Sequence, residues 1–470
     1  MLSFCDDSIG RRPFLRIGSL ALGGLSLAAW LGARAAAGNS ASGGAGVTQD
    51  ALRDKSVVLL FLHGGPSQTE TFDPKMDAPS GVRSVTGEVR TTIPGVTFGA
   101  TLEKLAQRAD RLAIVRSFQT GDGNHDIKPV VSRFSAGSNL GSVVARIAGA
   151  NDPTTGMPRN VALFPRAVDP GAQPAQRAFG NFESTGQIGA GFAPFVPGAG
   201  GDLQRDMQIQ VERGRLEDRR GLLLRLDRLR RGLERTGALG GLGRLEEQAF
   251  ETILGGVEGA FDLSREDPRV IERYDTEPLV RPHQIGAQWN NFKYYVDNAR
   301  TLGKLMLLAR RLCEAGCRFV TVTTNFVWDM HADENNATVE EGMRYCGVPF
   351  DHAVSAFLDD VEARGLSERI LLVACGEMGR TPRLNARGGR DHWGRLAPLL
   401  LAGGGWKMGQ VIGRSDRLAG EPASDPVTLA DLVSTIFHTV FDVGALRTVR
   451  GLPPEIARLI ESGAPPAELA

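Results

Sequence analysis

The chain has no Cys-x-x-Cys pair, no excess of either charge, and no apolar run long and pure enough to cross a bilayer. Each absence removes a class of function. Of the 5 cysteines, Cys5 lies in an N-terminal segment, leaving Cys313, Cys317, Cys346 and Cys375. Unpaired cysteines exclude a structural zinc ribbon. Cys313 and Cys317, near the end of a predicted helix, are poorly placed for a disulfide, so the thiols are expected to be buried as small hydrophobes. Lys and Arg number 54, as do Asp and Glu, for a formal charge of 0. That balance leaves no footprint for nucleic acid.

The longest mild apolar stretch, Ile17 to Leu31, is interrupted by Gly18, Gly23 and Gly24 and is too short for a span. It follows Arg11-Arg12-Pro13-Phe14-Leu15-Arg16 and precedes the small residues Ala33 to Ala37. Residues 1–37 therefore read as a twin-arginine export signal, and a periplasmic or other extracytoplasmic destination is expected. Contact with a membrane is expected only through this segment where it stays uncleaved. Residues 38–54, rich in Gly, Ser and Ala, read as a linker.

What is present from residue 55 onward is a strand and helix alternation. Ser56 to Leu62 is a continuous apolar run of the kind buried on both faces of a sheet. Leu112 to Val115, Arg318 to Thr324, Ile370 to Ala374 and Leu396 to Ala402 read as further strands. Between them, Leu102–Ala109, Asn298–Ala315 with Gly316 beyond its end, Asp351–Glu362 and Leu429–Phe441 read as helices. Residues 150–200, dense in Gly, Pro and Ala, read as irregular covering structure. Residues 202–265 read as a helical insertion, because Leu222, Leu226, Leu229 and Leu233 recur at helical spacing among charges. The pattern predicts an α/β fold, a doubly wound and mostly parallel sheet with helices on both faces, over 55–455. Residues 456–470 read as a C-terminal tail.

Histidine is scarce, yet 4 of the 7 fall in loops at predicted strand ends: His63, His125, His331 and His392. Asp126 adjoins His125, Asp329 lies two before His331, and Asp391 adjoins His392. Strand carboxyl ends are where open α/β sheets bind ligands. Imidazole with carboxylate is a ligand set for a divalent ion such as zinc, manganese, calcium or iron. Each histidine alone reads equally as a hydrogen-bonded loop residue; their convergence makes a metal site. His438, inside an apolar helix, reads as a core histidine, while His283 and His352 have no supporting context.

Several stretches together resemble the bacterial domain of unknown function 1501 family: His63-Gly64-Gly65-Pro66-Ser67-Gln68 with Phe72-Asp73-Pro74-Lys75; Trp328-Asp329-x-His331; and Gly376-Glu377-x-Gly379-Arg380-Thr381-Pro382 with Gly389-Arg390-Asp391-His392-Trp393. The resemblance implies a branch of the alkaline phosphatase and sulfatase superfamily, which carries one or two divalent metals on a doubly wound sheet. It departs from the superfamily pattern at two strand ends. His63-Gly64 stands where Asp-Gly is usual, and Glu377-Met378-Gly379 stands where Asp-His-Gly is usual. The implied ligands are Asp329, His331 and His392 for one ion, and His63, Glu377 and His125 for a second, with Asp391 beside His392.

Ile127 falls where the superfamily places its nucleophile, so a covalent phospho- or sulfo-enzyme is not supported. Ser67, Thr69 or Thr71 could substitute, with Thr69 the candidate chosen, or a metal-activated water could attack directly. Arg380 and Lys128 would then face an anionic ester or an envelope polymer. The expected activity is hydrolysis of phosphate or sulfate esters. The alternatives are a non-catalytic metal-binding relative that holds an envelope glycan or protein, and a metal-dependent transferase.

Overall fold

The computed structural model describes residues 51–198, 257–449 and 452–470. The export signal, most of the linker and nearly all of the helical insertion lie outside the described residues.

Among the described residues, seven strands form the central sheet. They are β1 (Ser56–Phe61), β2 (Ala113–Val115), β3 (Asn160–Leu163), β4 (Phe319–Val322), β5 (Ile370–Cys375), β6 (Leu399–Gly403) and β7 (Gln410–Ile412). Their spatial order is β7-β2-β6-β5-β1-β4-β3. Only β6 runs antiparallel to its neighbours; the other pairings in the sheet are parallel. The chain thus folds as an α/β protein with a mostly parallel sheet. β1 is interior, paired to β4 on one side and β5 on the other, which accounts for its unbroken apolar sequence.

Alternation along β1 divides its side chains between two cores. Val58 and Leu60 enter one apolar cluster with Leu302, Leu305, Phe350 and Phe357. Val57, Leu59 and Phe61 enter the other with Val143, Val144, Val433 and Phe437. The first cluster is roofed by α2 (Phe292–Glu314) and α3 (Val348–Ala363), and the second by α1 (Leu140–Ala148) and α4 (Leu429–Val440). The helix α4 begins with a capping box. Thr428 Oγ1 accepts from the Asp431 N–H at 3.4 Å, and the Asp431 carboxylate accepts from the Thr428 N–H at 2.9 Å. Past the end of α2, Gly316 takes φ +102°, the left-handed turn expected of a glycine that terminates a helix.

The strands β3 and β7, the helix α1 and the start of α2 differ from the sequence reading, which expected neither β7 nor α1. β3 lies in the stretch read as irregular; it is only four residues long, and Pro158 and Pro165 beside it look like loop punctuation. α2 starts at Phe292, six residues before Asn298. Within the predicted tail, Ile456, Leu459, Ile460 and Leu469 are buried in the second cluster. The four described cysteines are free and buried.

Candidate metal centre

Because β1, β4 and β5 are parallel neighbours, their carboxyl ends share one edge of the sheet, and the loops beyond them bring His63, Asp329 and Glu377 together. The His63 carbonyl accepts from the Val327 and Trp328 N–H groups at 3.2 and 3.0 Å, clasping the first loop to the segment that carries Asp329. Gly64 sits in this clasp at φ +112°, and a Cβ there would lie 2.4 Å from Asp329 N. Only glycine fits so close an approach. The Gly64 N–H in turn donates to both Glu377 oxygens, at 2.9 and 3.1 Å.

His392 is delivered by a short antiparallel ribbon, Gly379–Arg380 against His392–Trp393, which sets His392 opposite Arg380. This ribbon explains why the Glu377 to Arg380 and Asp391 to Trp393 stretches belong together in sequence. The loop following β2 supplies His125.

Three groups converge. His125, Asp329 and His392 each offer a ligand atom within 4.8 Å of the others. The Nε2 atoms of His125 and His392 both lie 3.3 Å from Asp329 Oδ1, and His125 Nε2 makes no hydrogen bond among the described residues. His125 Nδ1 is 3.1 Å from Glu377 Oε1. The ring centroids of His125 and His392 are 4.1 Å apart. Asp329 is buried, whereas the His392 side chain is 37% exposed, so the cluster opens to solvent on that side.

The electrostatics favour a cation at this point. Burial would raise the Asp329 carboxyl, but Arg380, with His125, His331 and His392, holds it far below the usual carboxylate range. Burial likewise would lower His125, yet Asp329 and Glu377 lift it to about 9. Glu377, fully buried, is pushed up by desolvation and only partly drawn back by His125. Two carboxylates thus face one guanidinium, and the surplus negative charge draws a proton onto His125. Two imidazole nitrogens aimed at one carboxylate oxygen, one of them a buried atom without a hydrogen bond, fit a divalent ion with nitrogen and oxygen ligands.

The other sequence-nominated residues have separate surroundings. His331 Nε2 is 3.0 Å from Asp329 Oδ2, the oxygen turned away from the cluster. His63 is 1% exposed, ringed by Phe61, Phe179, Phe182 and Phe326, and neither ring nitrogen has a hydrogen-bond partner among the described residues. Burial and the neighbouring His125 push it down to about 3, so it is neutral. Asp391 is exposed and accepts from Asn385 Nδ2 at 3.0 Å, outside the converging group.

Arg380, 1% exposed, donates to the Gly64, Gly65 and Arg390 carbonyls and to Asp329 Oδ1. Lys128 Nζ donates to Asp122 Oδ1 at 2.7 Å and Asp126 Oδ2 at 3.1 Å. Thr69 is fully buried, and its hydroxyl makes no hydrogen bond among the described residues.

Sequence reasoning missed three supports of the site. Asn336 Nδ2 donates to Asp329 Oδ2 at 3.0 Å; an asparagine within Asp333-Glu334-Asn335-Asn336 reads as turn chemistry. Phe179 and Phe326 stack at 4.5 Å between centroids and wall the cluster beside His125. Arg390 and Glu70, both 0% exposed, pair at 2.8 Å and join the first loop to the His392 loop. Arg390 lies in a recognised stretch, but its partner shows that it acts as a clamp.

Fold and site define an α/β protein with a candidate metal centre at the carboxyl edge of its sheet. The chain belongs to the family described as "Protein of unknown function (DUF1501)", which matches residues 54–445. None of the curated proteins compared with it matches. Among solved structures, the lipoteichoic acid synthase LtaP from Listeria monocytogenes is similar at 8% identity and a TM-score of 0.33, over 88% of this chain and 77% of that one. A likeness of that size says nothing of activity.

Proposed function

We propose that this protein is an exported, metal-dependent hydrolase-like member of the alkaline phosphatase and sulfatase superfamily, acting on phosphate or sulfate esters in the cell envelope. The observation that supports it best is the convergence of His125, Asp329 and His392 at an open strand edge. Export rests on the Arg11-Arg12 segment alone. His125, Asp329 and His392 would hold the ion, which when bound supplies a Lewis acid and a water of lowered pKa. Glu377, beside His125, is placed to receive or return a proton through its Oε1 contact with Nδ1. Phe179 and Phe326 exclude water from one wall.

A specific observation favours a second reading, a metal-binding protein without turnover. Both cations nominated for an anionic ester, Arg380 and Lys128, are already paired with carboxylates. Metal analysis of protein exported by its own route, with a screen of aryl phosphates, phosphodiesters and sulfates, separates the two. The hydrolase reading expects about one divalent ion per chain and turnover lost in His392→Ala. Metal with no turnover on any ester moves the assignment to the binding protein, and no tightly bound ion overturns both.

A further inference from the structure

Resting on the reading of His125, Asp329 and His392 as ligands, we infer that Asn336, braced by Asn291, is a positioning residue that fixes which oxygen of Asp329 meets the ion. The two oxygens of that carboxylate have different partners. Oδ1 faces His125 Nε2, His392 Nε2 and the Arg380 guanidinium. Oδ2 faces His331 Nε2 and Asn336 Nδ2, each at 3.0 Å. Two hydrogen bonds occupy both lone pairs of Oδ2, whereas Oδ1 accepts one, from Arg380, and keeps a lone pair on the side of the two imidazole nitrogens, so Asp329 is held as a one-oxygen ligand through Oδ1.

Asn336 can do this because its own amide cannot turn freely. It is 2% exposed, and Asn336 Oδ1 accepts from Asn291 Nδ2 at 2.8 Å. That contact leaves the NH2 group to point at Asp329, with a further contact to Asp333 Oδ1 at 3.2 Å. Asn291 is the residue before the first turn of α2, and its N–H donates to the Asn335 carbonyl at 3.1 Å while Asn290 N–H donates to the Glu334 carbonyl at 3.1 Å. The start of a 23-residue helix built into the core therefore sets the rotation of the carboxylate. The same geometry makes His331 a donor to Asp329, not a ligand. Groups that orient a ligand from behind affect affinity about 10- to 100-fold when replaced.

The test uses full-length protein and two probes, Zn²⁺ for affinity and Co²⁺ for its visible absorption. Asn336→Ala and Asn291→Ala are expected to weaken Zn²⁺ binding about 10- to 100-fold and to change the Co²⁺ spectrum, as Asp329 turns to bind through both oxygens. Asn336→Asp, which sets an anion against Oδ2, is expected to alter the spectrum most. His331→Gln, which keeps a donor, is expected to retain the wild-type spectrum with a smaller loss. Circular dichroism and unfolding of the metal-free variants identify any variant that fails to fold, and the Asn291 and Asn336 variants serve as alternatives to each other. Folded Asn336 and Asn291 variants with wild-type affinity and spectrum overturn the inference. No Zn²⁺ binding by the wild type, or binding undisturbed by His392→Ala, overturns the ligand reading instead.

Discussion

Replacing Arg380 with Met keeps much of the side-chain volume while removing the one guanidinium among the described residues that touches Asp329, and the structure sets the size of the effect. Arg380 is 1% exposed and Asp329 3%, so the remaining carboxylate would be left in a poorly solvated position. Losing one partner of such a pair costs about 3–5 kcal/mol. The Gly64, Gly65 and Arg390 carbonyls also lose a donor each, at about 1 kcal/mol apiece where water does not replace it. The imidazoles of His125, His331 and His392 share the Asp329 charge and limit the total, so about 4 kcal/mol is expected. Urea unfolding in the presence of a chelator, followed through buried Trp328, measures it. Asp329→Asn removes the anion, so the double variant should be less damaged than the sum of the single ones by about 2 kcal/mol. A loss below about 1 kcal/mol in Arg380→Met, or strict additivity, would refute the assignment of Arg380 as the charge that stabilises Asp329.

Gly64→Ala combines a left-handed backbone with a Cβ placed 2.4 Å from Asp329 N; a loss of about 3 kcal/mol or more and weakened metal binding are expected, read by unfolding and Zn²⁺ titration. Burial pushes Glu266 up, but Arg310 and Arg311 more than offset it and hold it down at about 2. Its folded value lies below the unfolded one, so its contribution is full above about pH 4.5 and lost as the pH falls towards 2, by about 2 kcal/mol after allowing for solvent screening. Glu266→Gln should flatten that acid limb in pH-dependent unfolding; an unchanged limb would show that other carboxylates carry it. Asp391→Ala, which alters an exposed neighbour of His392 whose carboxylate lies outside the converging ligands, should leave Zn²⁺ affinity within about 2-fold (well under 1 kcal/mol), and a 10-fold loss would return Asp391 to the ligand set.

The sheet was legible because its strands are buried on both faces and so spell continuous apolar runs, as in Ser56–Phe61 and Ile370–Cys375. β3 and β7 were not, because four and three residues carry too little pattern. At the site, His125, Asp329 and His392 were named from the sequence, since few residue types can hold a metal and each lay near a strand end. The division of labour among them was not legible. Whether His331 meets an ion or orients Asp329 depends on which carboxylate oxygen it touches, and sequence spacing does not carry that information. The same holds for Arg380 and Arg390. Both sit among glycines in recognisable stretches, and only the partners show that one neutralises a buried acid at the site while the other clamps Glu70.

Those partners also decide how an anion could approach. Among the described residues, Arg380 and the protonated His125 are both spent on Asp329 and Glu377, and Lys128 is occupied by Asp122 and Asp126. A phosphate or sulfate group meeting this edge without a metal would find no surplus positive charge, and each carboxylate about 5 Å away would repel it by roughly 3 kcal/mol at an effective dielectric of 20. A divalent ion supplies the missing positive charge. Inorganic phosphate should therefore bind detectably to zinc-loaded protein and at least 10-fold more weakly (about 1.4 kcal/mol) after chelation, measured by calorimetry. Equal affinity in both states would mean that side chains, not an ion, receive the anion, and Arg380 and Lys128 would then have to leave their carboxylates to do so.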